Sequence, residues 1–456
     1  MTAADIISEI NSIIWGWPMI ILLIGTHIFL TIRLKFPQRK IFTAIKLSFK
    51  SDQGCEGEMS HFGALATSLA ASIGTGNIIG VATAISLGGP GAVFWCLMSG
   101  LLGIATKYSE GLLAVKFRTK NAKGEVVGGP MYALDKGLGM KWLAILFAIF
   151  TSFAALGIGN TVQAKAICDI LVPLSPLESD AASRFFIGVV MAIIVGLVII
   201  GGVKKISKVC SNLVPFMAII YIVGCIYILC VNNSYLWSAV CWIVNDAFSL
   251  KAGVGGVVGT AIMTTMRYGL ARGLFSNEAG LGSSPIIAAA AKTKNPVKQA
   301  LVLSSGVFWD SVVICTLTGL VIVSSILAFD HIDITSTGIL TSLAFGEIPY
   351  VGTPILSIGI VTFAFSTILG WTYCGEKAIE YLFGGNYAIR IYRAIWILGV
   401  IAGSCMDFSM VWNLADIMNG LMAIPNLISL LLLSGVIVKE TRHYLWDDNL
   451  DEEVKD

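Results

Sequence analysis

Charged side chains are scarce in this chain of 456 residues. They make up 13% of it, whereas soluble domains carry about 25% charged residues. Apolar residues supply 56%, and the mean hydropathy is +0.83. The polar linkers that would divide a soluble chain of this length into domains are also missing. These absences exclude an ordinary soluble protein and predict one integral membrane domain over residues 1–456.

Signals for metal, nucleic acid and catalysis are missing as well. The ten cysteines lack metal-ligand spacing, and the four histidines are too dispersed to form a ligand cluster. There is no basic tract with interleaved aromatics, so no nucleic-acid partner is expected. No H-E-x-x-H, G-x-S-x-G or P-loop motif occurs, which argues against an intramembrane enzyme and an ATP-driven pump. No organic cofactor is expected. The N-terminus lacks a basic region and a cleavage site, so residues 13–32 are interpreted as a retained helix.

Long apolar segments are abundant, and about 20 such residues span a bilayer as a helix. Eleven segments meet that length, which predicts an all-α polytopic membrane protein. They lie near residues 13–33, 63–87, 91–116, 142–168, 184–203, 212–231, 254–291, 300–329, 352–383, 388–406 and 409–438.

Lysine and arginine concentrate in alternate loops between these segments. The basic stretches are 33–50, 116–136, 204–208, 292–298, 390–393 and 439–442. The positive-inside rule therefore places the N-terminus outside and the C-terminus in the cytoplasm. An odd number of spans requires the same result.

Two of the predicted spans are interrupted. Residues 74–77 read Gly-Thr-Gly-Asn, and residues 273–280 read Gly-Leu-Phe-Ser-Asn-Glu-Ala-Gly. Glycine costs a helix about 1 kcal/mol relative to alanine, and Asn, Ser and Thr offer the backbone other hydrogen bonds. Unwound backbone at membrane depth is tolerated only where protein or a water-filled cavity satisfies it. Paired breaks of this kind are typical of the binding site of a secondary transporter.

The positions of the breaks divide the chain into two halves. With residues 13–33 set apart as an extra helix, residues 63–231 and 254–438 each hold five segments. The second set begins on the opposite side of the membrane from the first, so we predict a 5+5 inverted repeat with a broken helix leading each half. Residues 439–456 form a cytoplasmic tail.

Helix ends inside the membrane can bind ions without charged side chains. A carboxylate can rest on the N–H groups around Gly76 and Asn77, and an ammonium group or Na⁺ can rest on carbonyls just before each break. A zwitterionic amino acid with a sodium ion meets both needs. The alternative is that these glycines only permit close helix packing. Two breaks at corresponding positions in the two halves, each with an asparagine, favour the binding of substrate and ion over the packing alternative.

Further motifs resemble those of one transporter family. Residues 88–103 read Gly-Gly-Pro-Gly-Ala-Val-Phe-Trp-Cys-Leu-Met-Ser-Gly-Leu-Leu-Gly, and residues 129–132 read Gly-Pro-Met-Tyr. Together with the two breaks, they resemble the alanine/glycine:cation symporter family over essentially the whole chain. One departure is Cys96-Leu97 where the family signature has Met-Trp, and another is Gly100 in place of a slightly larger residue. Both concern helix packing.

The resemblance implies a LeuT-like core and sodium-coupled uptake of a small neutral amino acid by alternating access. Alanine is the expected substrate, with glycine and serine as further candidates, and Na⁺ is the co-transported ion. The protein is expected in a prokaryotic cell membrane and to work as a monomer. The residues that would contact the substrate at the unwound stretches are Thr75, Gly76, Asn77, Phe275, Ser276, Asn277 and Ala279.

Two more residues are assigned to the substrate site. Gln163 is a candidate for binding the ammonium or carboxylate group, although an isolated polar residue can equally join two helices. Trp371 and Phe275 are large enough to cap a small pocket and restrict it to alanine-sized side chains.

The candidate sodium site combines the first break with the ninth segment. Phe363, Ser366 and Thr367 share one helical face, and the two hydroxyls could meet the carbonyls of Ala70 and Ile73 in an oxygen-only cage. The alternative is that these hydroxyls bond back to their own helix. The family resemblance favours sodium.

Ionisable residues inside a membrane are functional candidates by default. Glu278 follows the second break directly, and it could bind an ion, relay a proton or pair with Arg272 as a gate. Structural pairing is preferred for the other intramembrane charges, which are Lys107, Glu110, Arg267, Arg272 and Asp310. An ion channel is the competing class, but no repeated carbonyl filter or charged ring is evident.

Overall fold

The computed structural model describes residues 3–50, 52, 54–174, 180–249, 260–336, 339–406 and 409–453. They are mostly helical, which confirms the predicted all-α class. The exception in the described chain is a short antiparallel hairpin, in which β1 (Thr119–Lys120) pairs with β2 (Val126–Val127).

The helices before residue 250 begin with two that run almost end to end. The twelve are α1 (Ala3–Ile14), α2 (Trp17–Arg33), α3 (Ile41–Ser48), α4 (His61–Ser72), α5 (Val81–Gly88), α6 (Ala92–Lys116), α7 (Pro130–Tyr132), α8 (Lys141–Leu156), α9 (Val162–Leu171), α10 (Asp180–Ile199), α11 (Gly202–Val231) and α12 (Asn233–Ala247). Wider π-helical turns at Gly76–Gly80, Ala133–Gly137 and Gly157–Thr161 lead into α5, extend α7 and join α8 to α9.

The helices after residue 259 include a second broken pair. The nine are α13 (Thr260–Asn277), α14 (Ser283–Ala288), α15 (Pro296–Val307), α16 (Thr316–Ala328), α17 (Leu340–Gly346), α18 (Gly352–Phe383), α19 (Asn386–Cys405), α20 (Ser409–Leu432) and α21 (Ser434–Thr441). π-helical segments at Phe308–Cys315 and Arg442–Trp446 join α15 to α16 and extend α21.

Nine helical stretches among the described residues are long and apolar enough to cross a membrane. A tenth is the pair His61–Ser72 and Gly76–Gly88, which bend by 53° at the first break. The first span starts at Asp5 rather than near residue 13, because α1 and α2 form one apolar stretch. The predicted seventh segment, residues 254–291, lies partly outside the described residues. The count of eleven and the inverted repeat therefore stay predictions.

Two long helices organise the packing. Helix α6 lies against α2, α13 and α15, and α18 lies against α4, α8, α9 and α11. The two sequence departures fall on α6. A Cβ atom at Gly100 would lie 2.5 Å from the Ser311 Cβ, so glycine permits this close approach. Cys96 is buried in a small apolar cluster with residues such as Val93 and Cys315. Both departures therefore concern packing, as the sequence predicts.

The basic loops gather on one face of the molecule. Ion pairs join them to acidic residues of neighbouring loops and of the C-terminal segment, and these pairs are Lys116–Glu440, Lys120–Glu56, Lys204–Glu58 and Lys294–Glu453. The same face joins the ends of the two broken spans, since the Lys292 N–H donates to the Met59 carbonyl at 2.8 Å. The positive-inside rule predicts that this face is cytoplasmic.

Candidate substrate and sodium site

The first break lies where the sequence predicts it. Helix α4 ends at Ser72, and Ile73 takes an extended conformation, with φ −76° and ψ 93°. Side chains bind the released backbone groups, as burial requires. The Gly74 N–H donates to Asn77 Oδ1 at 2.9 Å, and the Thr75 N–H donates to Gln163 Oε1 at 3.4 Å.

The second break is displaced from its predicted position. Helix α13 continues to Asn277, so residues 273–276 are helical. The chain leaves the helix at Glu278, whose φ is +54°, and Gly280 and Gly282 have φ of +90° and +92°. Gly273 serves close packing, because a Cβ there would lie 2.0 Å from Ser99 Oγ on α6. The break therefore covers residues 278–282.

Charged residues of α6 hold the second break in place. Lys107 Nζ donates to the Asn277 carbonyl at 2.9 Å, and Glu110 Oε1 accepts from the Gly280 N–H at 3.0 Å. Asn426 of α20 donates to both Glu110 Oε1 at 2.6 Å and the Gly280 carbonyl at 2.9 Å. Lys107 and Glu110 are buried and one helical turn apart. Both side chains bind backbone groups at the second break, and these contacts could not be predicted from the sequence.

The two breaks meet through Asp310, in the π-helical segment between α15 and α16. Asn77 Nδ2 donates to Asp310 Oδ1 at 2.7 Å, and Ser276 Oγ donates to Asp310 Oδ2 at 3.0 Å. The Phe275 ring also reaches the first break, since a Cβ at Gly76 would lie 3.2 Å from Phe275 Cδ1. The structure thus brings four predicted substrate residues together, and it adds an acidic residue that the sequence assigned to structural pairing.

Asn277 and Ala279 contact the π-helical segment after α15 and helix α6, respectively. Asn277 Nδ2 donates to Ser311 Oγ at 3.1 Å, and its Oδ1 accepts from the Ala279 N–H at 2.9 Å. A Cβ at Gly103 of α6 would lie 3.0 Å from the Ala279 Cβ. These two predicted substrate residues therefore stabilise the second break. Thr75 differs, because its buried hydroxyl has no hydrogen-bond partner among the described residues.

Gln163 and Trp371 border the first and second breaks. Gln163 Nε2 donates to the Ile158 carbonyl at 3.0 Å, which fixes the amide whose oxygen faces Thr75. Trp371 is fully buried, and its Nε1 donates to Glu278 Oε1 at 3.1 Å. It packs tightly on the π-helical turn between α8 and α9, because a Cβ at Gly159 would lie 2.3 Å from the Trp371 Cβ.

Glu278 acts here as an acceptor for neutral donors. Its second carboxylate oxygen accepts from the Ser283 hydroxyl at the start of α14. The Arg272 guanidinium lies over the Phe275 ring instead, 5.8 Å from its centroid. Among the alternatives for Glu278, this structure shows no pairing with Arg272 in the described chain, and the carboxylate positions Trp371.

A cavity of about 210 Å³ reaches the site from the side of α1. Phe275 lines it, together with Arg272 of α13, Trp15 and Asp416 of α20. Because the same Phe275 ring contacts Gly76, it separates this cavity from the first break. Phe275 therefore lies between this cavity and the first break, and its role as a cap stays a prediction.

The predicted sodium ligands converge where α4 ends beside α18. Ser366 Oγ lies 3.4 Å from the Ala70 carbonyl oxygen, and Thr367 Oγ1 lies 3.3 Å from that of Ile73. Both hydroxyls also lie near the Phe363 carbonyl, at 2.8 and 3.0 Å. Each hydroxyl therefore bonds back to its own helix, α18, and also approaches a carbonyl of α4. The geometry is compatible both with local hydrogen bonding and with a sodium site.

This oxygen set suits a hard cation. Oxygen ligands of a cation such as Ca²⁺ lie about 2.4 Å away, so two ligands at right angles are about 3.4 Å apart. The two distances between α4 and α18 match that spacing. The Ala70 and Ile73 carbonyls also end α4, where the helix dipole is negative. Five neutral oxygens from two helices therefore converge at one point, and their binding of Na⁺ stays a prediction.

The arrangement defines a class of protein. Broken helices that meet beside an oxygen cage are the architecture of a transporter with a LeuT-like fold. Among solved structures, MhsT in complex with L-phenylalanine superposes with a TM-score of 0.62, covering 84% of this chain and 90% of MhsT. Sequence identity is 13%, so the likeness concerns the fold alone.

The family follows from sequence comparison. The model of the sodium:alanine symporter family matches residues 1–455. The sodium/alanine symporter AgcS of Methanococcus maripaludis is 48% identical, over 97% of this chain and 98% of AgcS. The probable sodium/glutamine symporter GlnT of Bacillus subtilis is 34% identical, over 96% and 90% of the two chains. The chain belongs to the sodium:alanine symporter family, a family of multi-pass membrane transporters. This confirms the predicted resemblance and the assignment to transporters rather than enzymes.

Proposed function

We propose that this protein couples the inward movement of Na⁺ to the uptake of alanine, with glycine and serine as further substrates. One observation carries the proposal: five oxygens of α4 and α18 converge directly beside the first break, at distances that suit a hard cation. The similarity to AgcS, a sodium/alanine symporter, supports the same substrate and ion.

The substrate is proposed to lie between the two breaks. Its carboxylate faces the helix that starts at Gly76, where N–H groups and the positive end of the dipole favour an anion. The unpartnered Thr75 hydroxyl lies beside that helix start. The ammonium group of the substrate is proposed to bind Gln163 Oε1. In this structure that oxygen accepts a long hydrogen bond, of 3.4 Å, from the Thr75 N–H.

Side-chain selection is proposed to come from Trp371 and Phe275. Trp371 is held by Glu278 and by the close contact at Gly159, so it cannot turn away to enlarge the pocket. Protein interiors resist such changes because they are tightly packed. A methyl or hydroxymethyl side chain fits this limit, and a branched aliphatic side chain exceeds it.

Coupling is proposed to act through the junction of α4 and α18. Sodium there draws carbonyls of α4 and hydroxyls of α18 towards one centre, which stabilises the first break in its substrate-binding conformation. Linkage requires that sodium then raises the affinity for substrate and that substrate raises the affinity for sodium, by the same factor. In alternating access, Na⁺ moving inward down its gradient then carries the substrate that is bound in the same conformation.

Uptake of radiolabelled alanine into proteoliposomes tests the proposal. An inward sodium gradient should drive accumulation, and choline in its place should abolish it. Ser366→Ala and Thr367→Ala should each raise the sodium concentration for half-maximal uptake about tenfold. Thr362→Ala is the matched control, because among the described residues this α18 hydroxyl bonds only to carbonyls of its own helix, at Ile358 and Gly359. Equal uptake in sodium and choline would refute the coupling.

A further inference from the structure

A second cavity, unrelated to the two breaks, opens on the face that carries the basic loops. It has a volume of about 470 Å³ and lies between the end of α2 and the end of α21 with the segment that follows it. We call it the basic cleft, and its lining residues are Arg33, Leu34, Lys35, Val438, Thr441, Arg442, Trp446 and Asp447.

The charges in the basic cleft are not balanced. Arg33, Lys35 and Arg442 line it with one carboxylate, Asp447. Within the described chain, none of these three cations forms an ion pair, in contrast to Arg393, which binds Glu376 through two hydrogen bonds of 2.6 and 2.7 Å. Cations that face one cavity without partners repel each other, so an anion between them lowers the electrostatic energy.

Aromatic rings hold the basic groups around the cleft. The Arg33 guanidinium lies 5.3 Å from the centroid of the Phe29 ring, and Lys40 Nζ lies 5.7 Å from that of Trp446. Stacking on a ring leaves the N–H edges of an arginine free to bind an anion. Arg33, with Arg442 in the lining of the same cleft, therefore suits the tetrahedral oxygens of a phosphate group.

Three non-glycine residues at or next to the basic cleft have positive φ, a strained backbone conformation. Lys35 and Phe36 are consecutive non-glycine residues with positive φ, of 58° and 62°, and Asp448 has φ 62°. The first two turn the chain sharply after α2, and the third lies directly after the cleft residue Asp447. Such conformations cost of order 1–3 kcal/mol each and cluster at binding sites.

The cleft lies at the level of lipid headgroups. Arg33 is the last residue of α2, which ends the first membrane span. On the turns just before it, Ile28, Phe29 and Ile32 are exposed apolar side chains suited to lipid tails. A molecule that carries both a phosphate and acyl chains therefore matches this position better than a soluble anion does.

We propose that the basic cleft binds the phosphate group of an anionic phospholipid in the cytoplasmic leaflet, between Arg33, Lys35 and Arg442. The acyl chains of that lipid lie along α2, over Ile28, Phe29 and Ile32. Basic pockets between spans on the cytoplasmic side are suited to anionic headgroups. This site is independent of the proposed transport activity, because none of its residues touches either break.

Thermal unfolding of the purified full chain in neutral detergent tests the proposal without a transport assay. Three probes are added separately: dioctanoyl-phosphatidylglycerol, dioctanoyl-phosphatidylcholine and inorganic phosphate. A ligand that binds only the folded state raises the midpoint temperature. We expect phosphatidylglycerol to raise it in a concentration-dependent way, and the other two to leave it unchanged.

Variants locate the effect. R33A/R442A should need about 25-fold more phosphatidylglycerol for the same shift, about fivefold for each cation removed. Arg442→Ala alone should show the fivefold change if the double variant does not fold. The control is K141A/R390A, which removes two charges from the same face outside the cleft and should respond as the unmodified chain does.

Three results would overturn the proposal. Stabilisation by inorganic phosphate equal to that by phosphatidylglycerol would make the cleft a soluble-anion site. Equal stabilisation by phosphatidylcholine would show that the acyl chains alone act. A response in R33A/R442A identical to that of the unmodified chain would place the lipid elsewhere.

Discussion

At the scale of single residues, Trp371 connects the proposed substrate pocket to the second break. Its indole N–H donates to Glu278, and its base packs against the turn at Gly159. Its size and its place beside the candidate sodium ligands can be read from sequence, but its partner cannot. Glu278 lies 93 positions away, and nothing local indicates that its carboxylate binds an indole rather than an ion.

Trp371→Ala should widen the substrate range. Removing the indole opens space next to the breaks, so leucine and methionine should begin to compete with radiolabelled alanine for uptake, while the KM for alanine rises about tenfold. The control is Trp142→Ala, because Trp142 is 65% exposed on the surface of α8. An unchanged competition profile in Trp371→Ala would contradict the proposed size limit.

At the scale of elements, the two breaks differ in how far sequence predicts them. The first follows from residues 74–77, because Asn77 itself binds the released Gly74 N–H. The second was placed too early. Gly273 looks like a point of unwinding in the sequence, yet it is helical and admits Ser99 of α6. A glycine that permits packing and one that permits unwinding look alike until the neighbouring helix is known.

The dependence of the second break on α6 is testable through Lys107. Lys107→Met keeps most of the side-chain volume but leaves the buried Asn277 carbonyl without its donor. An unsatisfied buried group costs about 1–3 kcal/mol, so the midpoint of thermal unfolding should fall and alanine affinity should drop with it.

Lys141→Met, at the exposed start of α8, provides the matched control. It should leave both quantities unchanged. If Lys107→Met unfolds at the same temperature and binds alanine normally, Lys107 does not support the break.

At the scale of the whole molecule, the basic face is held together by long-range contacts that sequence cannot show. Lys298 at the start of α15 donates to Asp52 Oδ1 at 2.8 Å and to Asp451 Oδ1 at 3.2 Å. Asp52 also lies 3.2 Å from His61 Nε2 of α4. One cluster thus joins the loop before the first broken span, α15 and the C-terminal segment. The sequence predicts a cytoplasmic tail but not that it is docked.

This cluster predicts a pH dependence of stability. Burial alone would raise the pKa of Asp52, but hydrogen bonds from Lys298, His61 and the Lys294 backbone bring it below its ordinary value. A carboxyl with a lowered pKa stabilises the fold above its unfolded pKa, about 3.9 for aspartate, and that stabilisation is lost as the pH falls further.

Asp52→Asn should therefore lower the unfolding temperature at pH 7. The difference from the unmodified chain should shrink as the pH falls below about 4, in a series of thermal unfolding curves from pH 7 to pH 3. Asp330→Asn is the control, since Asp330 is an exposed aspartate in the loop that follows α16. A difference for Asp52→Asn that is constant with pH would contradict this role.

The central claim is that the two breaks hold an amino acid beside a sodium ion, so that each ligand strengthens the binding of the other. Calorimetric titration of the purified protein with alanine, in sodium chloride and in choline chloride of equal ionic strength, tests it most directly. Coupling energies of about 1–3 kcal/mol correspond to about 5–150-fold in affinity. We predict that alanine binds at least about tenfold more tightly in sodium, and equal affinity in the two salts would contradict the claim.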